Sequence, residues 1–140
     1  MRVEPAGTPE TVTLTGTEDV VRARHRVRDL ATELGFDLVA QTRIVTATSE
    51  LARNTHLHGG GGSLTITPVQ DGRRRGLQLE FTDEGPGIPD LAAALTDGWS
   101  SSGGLGLGLS GTKRLVDEFT IESSPGQGTR VEVVQWLKRR

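Results

Sequence analysis

The sequence predicts an α/β fold, a two-layer sandwich with helices on one face of a mixed sheet, and three observations predict it. Apolar residues recur at three- and four-residue spacing in two consecutive stretches before residue 58. Short segments of alternating apolar and polar residues stand on both sides of those stretches, most of them in hairpin-like pairs. Glycine and proline turn residues punctuate the rest. The resulting order is β-α-α-β-β, a connection, then α-β-β, in which helix stripes find their burial against one sheet face.

Val12-Thr13-Leu14-Thr15 alternates as a short strand. Thr17 followed by Glu18 and Asp19 starts a helix near residue 18, with acids in the first turn where the helix dipole favours them. Val20, Ala23, Val27, Leu30, Ala31 and Leu34 form its apolar stripe, and Gly35 is a natural C-terminal stop. The second helix runs from Leu38 to Leu57, with Ile44, Ala47, Thr48, Leu51 and Thr55 on one stripe and Gly59 onward ending it. Glu50 and Asn54 therefore lie one turn apart.

Ser63 to Thr67 and Leu77 to Thr82 alternate as two strands, with Asp71-Gly72 a hairpin turn and Arg73-Arg74-Arg75 a solvated basic run in their connection. Asp83 stands where the second of these strands ends. Ile88 to Gly98 reads as a partly helical connection, and Ser110 with Thr112 to Phe119 as a helix starting at a run of glycines. Thr120 to Ser123 and Thr129 to Trp136 finish as strands around Pro125-Gly126-Gln127-Gly128.

At 140 residues the chain fits one domain, read here as residues 11–140 behind a loose leader of residues 1–10. A formal net charge of −2 gives no field that would steer it to nucleic acid or an anionic membrane. The absence of cysteine excludes disulfides, thiolate metal sites and cysteine nucleophiles. No stretch approaches the roughly 18 apolar residues of a membrane span, so a cytoplasmic location is expected. Glycine, at 19 residues, is about twice its usual ~7% share and is clustered, which points to specific backbone sites.

Three segments carry chemistry. Glycines 104, 106 and 108 lack side chains, so backbone N–H groups can crowd a polyphosphate, with the N-terminus of the next helix adding positive dipole. Asp83, beside Gly85-Pro86-Gly87, offers a carboxylate to an exocyclic amine where a planar ligand can approach the backbone. Glu50 and Asn54, at i and i+4, present the oxygen acceptors that magnesium and a proton-accepting role need. Each segment alone is also what a flexible loop, an ordinary turn or a solvated helix face looks like. Their occurrence together, in this order, is the stronger signal.

With these boxes the chain resembles the Bergerat-fold (GHKL) ATPase superfamily of gyrase, heat-shock chaperones, histidine kinases and MutL, over nearly its whole length. Within it the sequence looks most like the small bacterial serine/threonine switch kinases of the stressosome, typified by RsbT. Ser49-Glu50-Leu51-Ala52-Arg53-Asn54, Asp83-Glu84-Gly85-Pro86-Gly87-Ile88-Pro89-Asp90 and Gly103-Gly104-Leu105-Gly106-Leu107-Gly108-Leu109 with Lys113-Arg114-Leu115 carry that match. Leu34-Gly35-Phe36 and Gly126-Gln127-Gly128-Thr129 add to it.

The resemblance implies ATP and Mg²⁺ as cofactors and a protein serine/threonine kinase activity. It implies that Asp83, with Gly85 and Gly87, binds the adenine amine and that Thr129 lines the adenine end. Asn54 would hold magnesium against the phosphates, Glu50 would align or deprotonate the attacking hydroxyl, and Gly104, Leu105, Gly106, Leu107 and Gly108 would wrap the phosphates, with a minor phosphate role for Lys113. The implied substrate is a STAS-domain antagonist, with STAS-domain scaffold proteins as further partners and a PP2C-type phosphatase activated by the released kinase. Two other functions share the three boxes: an anti-sigma factor kinase, and a non-catalytic module whose partner docking is gated by ATP.

Other signals carry less. His56 and His58 at i and i+2 do not share a helix face, and no further zinc ligand is near in sequence. His25, between Arg24 and Arg26, reads as a surface residue. Trp136 belongs to the core, while Trp99 in the Ile88–Ser102 connection is left open between a partner and a nucleotide contact. That connection is short and, at Ser100-Ser101-Ser102, polar, which would leave a bound nucleotide accessible to a docked protein.

Overall fold

Ten elements appear in the computed structural model, which describes residues 3–88, 90–95 and 108–138. They are β1 (Glu4–Pro5), β2 (Glu10–Leu14), α1 (Thr17–Leu34), α2 (Leu38–Leu57), β3 (Gly62–Asp71), β4 (Arg74–Asp83), α3 (Leu91–Ala94), α4 (Leu109–Leu115), β5 (Glu118–Ser123) and β6 (Thr129–Trp136). The six strands form one sheet in the order β1-β3-β4-β6-β5, with β2 sharing the β3 edge with β1. Residues 4–6 of the segment read as a leader bond to β3: Glu4 pairs Gln70, and the Ala6 N–H donates to the Pro68 carbonyl.

Every described strand pairing is antiparallel, so the mixed sheet expected from the element order is corrected. The reason is topological. With two helices between β2 and β3 the chain makes three connections, and β3 returns antiparallel to β2. The crossover through α4 does connect two strands of like direction, β4 and β5, but β6 is inserted between them.

The α1 stripe is buried at Val20, Ala23, Val27 and Ala31, and the helix ends on Gly35 in the left-handed region. Asp37 caps α2, its carboxylate accepting the Ala40 N–H at 2.8 Å. Ile44, Ala47, Thr48, Leu51 and Thr55 lie on the buried side of α2, and the Thr48 and Thr55 hydroxyls donate to carbonyls one turn back. Leu64 and Ile66 of β3, Leu77, Leu79 and Phe81 of β4, and Val131 and Val133 of β6 meet them in one apolar core. Each such side chain removed from water contributes about 1.5–3 kcal/mol.

The opposite sheet face is mainly polar, with Arg130 bonded to Glu80 and Glu132. At one end it carries a separate apolar cluster of Val69, Val134 and Trp136. Trp136 is buried there and not in the main core. Its indole N–H donates to Glu118, and the Arg74 guanidinium lies 4.2 Å from its ring centroid. Arg74 also donates to Asp71 at 2.7 Å, so the basic run expected as a solvated turn contributes one residue to packing. The strands β3 and β4 accordingly extend through residue 71 and from residue 74.

The third expected helix is shorter than Thr112 to Phe119. It stops at Leu115 because Phe119 pairs Val133 in the sheet. Asp117 fixes the exit: its N–H donates to Gln135 and its carboxylate accepts the Trp136 N–H.

Candidate nucleotide site

The C-terminal end of α2, the loop after β4 and the start of β6 converge on one cleft. Leu51, Phe81, Ile88, Leu109, Ile121 and Val131 give it apolar walls, while Asn54, Asp83 and Thr129 supply polar groups. This is the mix expected where a flat heterocycle is buried and a few groups fix its orientation.

Asp83 is the last residue of β4 and pairs with Thr129, the first of β6. Its carboxylate accepts the backbone N–H groups of Gly85, at 2.9 Å, and Thr129, while burial pushes the carboxyl pKa up and is the dominant effect. Gly87 holds φ at +79°, and a Cβ there would fall 2.1 Å from the Ser124 carbonyl oxygen. The loop is pinned further by Ile88, whose N–H donates to the Ser123 hydroxyl at 2.8 Å, and by Pro86, whose carbonyl accepts the Gly126 N–H at 2.8 Å. Ser123 in turn donates to the Gly128 carbonyl and shares a hydrogen bond with the Thr129 hydroxyl.

Asn54 lines the cleft from α2, and Glu50 stands one turn earlier. Arg53 bonds one Glu50 oxygen at 3.2 Å. The other faces Gly108, where an added Cβ would sit 2.9 Å from it. The last glycine of the third box is thus brought to the acid of the first. Gly104, Leu105, Gly106 and Leu107 lie outside the described residues, as do Trp99 and the three serines. Lys113 is exposed on α4 and is not among the residues lining the cleft.

Several lining residues carried no sequence signal of function. Phe81 and Val131 read only as strand positions, Leu51 and Thr55 as a helix stripe, and Gly59 as a helix stop. Their spacing to Asp83 across the sheet becomes visible only once β4 and β6 pair. His58 also lines the cleft.

The cleft fits the base of a nucleotide: Leu51, Phe81, Ile88 and Val131 give it apolar walls, and one partly desolvated carboxylate, Asp83, stands among them. The donor set of Asn54 and Glu50, an amide and a carboxylate, matches a hard cation that keeps phosphate and water oxygens as its other ligands.

The profile of the family described as "Histidine kinase-, DNA gyrase B-, and HSP90-like ATPase" matches residues 39–139. The chain is 50% identical over 120 residues to the serine/threonine-protein kinase RsbT of Bacillus subtilis, covering 86% of this chain and 90% of the relative. It is 30% identical over 121 residues to an anti-sigma F factor of a Thermoanaerobacter species, covering 82% and 83%. A solved structure of the RsbU and RsbW domains of Rv1364c from Mycobacterium tuberculosis superposes with a TM-score of 0.68 at 22% identity. That likeness covers 96% of this chain and 34% of the other, and it shows the shared fold. The chain belongs to the histidine kinase-, DNA gyrase B- and HSP90-like ATPase family, in its branch of RsbT-like protein serine/threonine kinases.

Proposed function

We propose that this kinase transfers the terminal phosphoryl group of ATP to a serine or threonine of a STAS-domain antagonist in a partner-switching pathway. The observation that carries this reading is that Asn54 and Asp83 line one cleft with apolar walls, while Glu50, one turn from Asn54, stands against Gly108. ATP supplies the phosphoryl group, and Mg²⁺ offsets the charge of its phosphates when bound. Asp83 accepts the exocyclic amine of adenine, and the clamp of Ser123 and Gly126 on the loop holds that carboxylate in place. Asn54 offers its amide oxygen to the cation. Glu50 takes the proton of the incoming hydroxyl, and transfer otherwise rests on positioning and charge stabilisation.

A phosphate added to the antagonist brings about −1.5 to −2 charge beside Glu50, and like-charge repulsion there favours release. The freed kinase then binds and activates a PP2C-type phosphatase, with STAS-domain scaffold proteins as the other partners, in the cytoplasm. Among the described residues no helix is long and apolar enough to cross a membrane.

A second reading, an anti-sigma factor that also phosphorylates its antagonist, is favoured by the 30% identity to a protein of that name. One experiment separates the two. The protein is incubated with Mg²⁺, ATP labelled on its terminal phosphate and a purified STAS-domain antagonist, and a sigma factor is offered in a parallel pull-down. Label on the antagonist with no sigma factor captured supports the first reading; capture of the sigma factor moves the assignment to the second. Nucleotide binding without transfer to the antagonist removes both.

A further inference from the structure

Three residues on three strands stand in one row at the nucleotide end of the sheet. Ser123, the last residue of β5, pairs with Thr129, the first of β6, which pairs in turn with Asp83, the last of β4. Strand alternation puts all three on the face that carries the main core, two residues from Ile121, Val131 and Phe81. Asp83 and Thr129 line the cleft, whereas Ser123 stands one strand behind them and is not among the lining residues. Ser123 therefore acts on a ligand only through its neighbours.

The protons of this row can be placed. A hydroxyl has one proton to donate and two lone pairs with which to accept. Ser123 meets the Ile88 N–H at 2.8 Å, the Gly128 carbonyl at 3.1 Å and the Thr129 hydroxyl at 2.8 Å. The amide only donates, so it occupies one lone pair. The carbonyl only accepts, so it takes the single proton. The remaining lone pair then receives the proton of Thr129. Were Ser123 to donate to Thr129 instead, two oxygens would face each other across the 3.1 Å contact with no proton between them. Gly128 is held in that contact: its φ is +79°, and a Cβ there would fall 2.2 Å from the Asp83 carbonyl oxygen. With its proton turned to Ser123, the Thr129 hydroxyl offers the cleft lone pairs only. The ionised Asp83 carboxylate also only accepts.

We infer that Ser123 is a positioning residue for base selection. By taking the Thr129 proton, it makes the wall formed by Asp83 and Thr129 an all-acceptor surface, which holds a purine with a 6-amino group and repels one with a 6-oxo group. The inference rests on the adenine role proposed for Asp83 and deepens it. Without the Ser123 oxygen, the Thr129 proton is free to turn toward the cleft and meet a 6-oxo oxygen, and discrimination weakens. A site built around hydrogen bonds rejects the wrong ligand because buried polar groups are then left unpaired.

The test compares ATP with inosine triphosphate, which carries a 6-oxo group and a protonated N1 in place of the 6-amino group and bare N1 of adenine. Dissociation constants for both are measured by isothermal titration on the full chain with Mg²⁺, beside the melting temperature. The wild type is expected to prefer ATP. Ser123→Ala is expected to narrow that preference at least about fivefold, or about 1 kcal/mol, beyond any loss common to both nucleotides from the unpaired Ile88 N–H. Ser123→Thr keeps the hydroxyl and restores the preference. In a Thr129→Val background, Ser123→Ala leaves the preference unchanged. Ser123→Cys, a poor hydrogen-bonding group of similar size, acts in the same direction as alanine and serves if the alanine variant is poorly folded. Equal losses for both nucleotides in the alanine and cysteine variants make Ser123 a structural anchor only, and overturn the inference while leaving the role of Asp83 intact. A narrowing that persists in the Thr129→Val background also overturns it, because the effect then does not pass through Thr129. A wild type that binds the two triphosphates equally, or binds neither, removes the adenine role and this inference together.

Discussion

Gly59 lies against Asp83: a Cβ at residue 59 would fall 2.3 Å from the Asp83 carboxyl carbon and 2.5 Å from one of its oxygens. The first residues beyond α2 and the last residue of β4 thus share one space, and the helix that carries Asn54 is held at the sheet by the absence of a side chain. Replacing Gly59 with Ala is expected to push the carboxylate out of position. ATP affinity should drop at least about tenfold, with a stability loss of about 1–3 kcal/mol from overpacking. Isothermal titration with ATP and a denaturant melt measure the two effects separately; wild-type affinity in the alanine variant would contradict the shared-space account.

Glu50→Gln removes the carboxylate proposed as proton acceptor while keeping the shape of the side chain. Phosphoryl transfer to the protein substrate should fall by about 10²–10⁴-fold, the usual weight of general base catalysis, while ATP affinity stays unchanged. A variant that transfers at the wild-type rate would exclude the base role.

Asp83 carries a pH prediction. Burial raises its folded-state pKa above the usual aspartate value, so the folded protein holds this proton more tightly than the unfolded chain. The stabilising effect of the neutral acid is complete below the unfolded pKa and is lost as pH rises through the folded one, leaving an ionised, partly desolvated group at neutral pH. Asp83→Asn should therefore hold or raise the melting temperature at pH 7 while abolishing ATP binding, because an amide cannot satisfy the adenine amine equally. In the wild type, ATP affinity should begin to fall on acidification while pH is still above the ordinary aspartate range. Affinity measured across pH 4 to 7 at constant salt checks this; an asparagine variant that binds ATP normally would refute it.

Glu10 and Arg26 form a two-contact ion pair, at 2.6 and 2.8 Å, that ties β2 to α1. The Arg26 guanidinium holds the Glu10 carboxyl below its ordinary pKa. The resulting stability is present above the unfolded value of about 4.5 and is lost as pH falls through the lower folded value. Both side chains are more than a third exposed, so solvent screening keeps the contribution to about 0.2–1 kcal/mol. Arg26→Met should lower the melting temperature slightly at pH 7 and much less near pH 3. Equal losses at both pH values would point to packing of the arginine stem in place of the charge.

The helical layer was legible in residues because periodicity and caps act locally: Leu38 to Leu57 is helical over the whole span that the pattern predicts, and Gly35 stops α1 as expected. The site's polar framework was legible for the same reason, since Glu50 and Asn54 are set by one helical turn and Asp83 by a strand end. Strand direction and the path of the last crossover were not, because they depend on which strands pair across more than forty residues. Local composition also could not show that Phe119 joins a sheet or that Trp136 packs on the face away from the helices. These follow from the register of β6 with its neighbours β4 and β5, and the β4 pairing also places Thr129 beside Asp83.

The insertion of β6 between β4 and β5 also has a consequence for biosynthesis. Of the described elements, β6 emerges last from the ribosome, yet it occupies an interior place in the sheet and supplies the Thr129 N–H that Asp83 accepts. Until it emerges, β4 has an open edge with unpaired backbone groups, the kind of surface that invites pairing with other chains. The cleft that holds Asp83 is therefore unfinished until β6 is made, and under the proposed adenine role of Asp83 nucleotide binding waits for that strand.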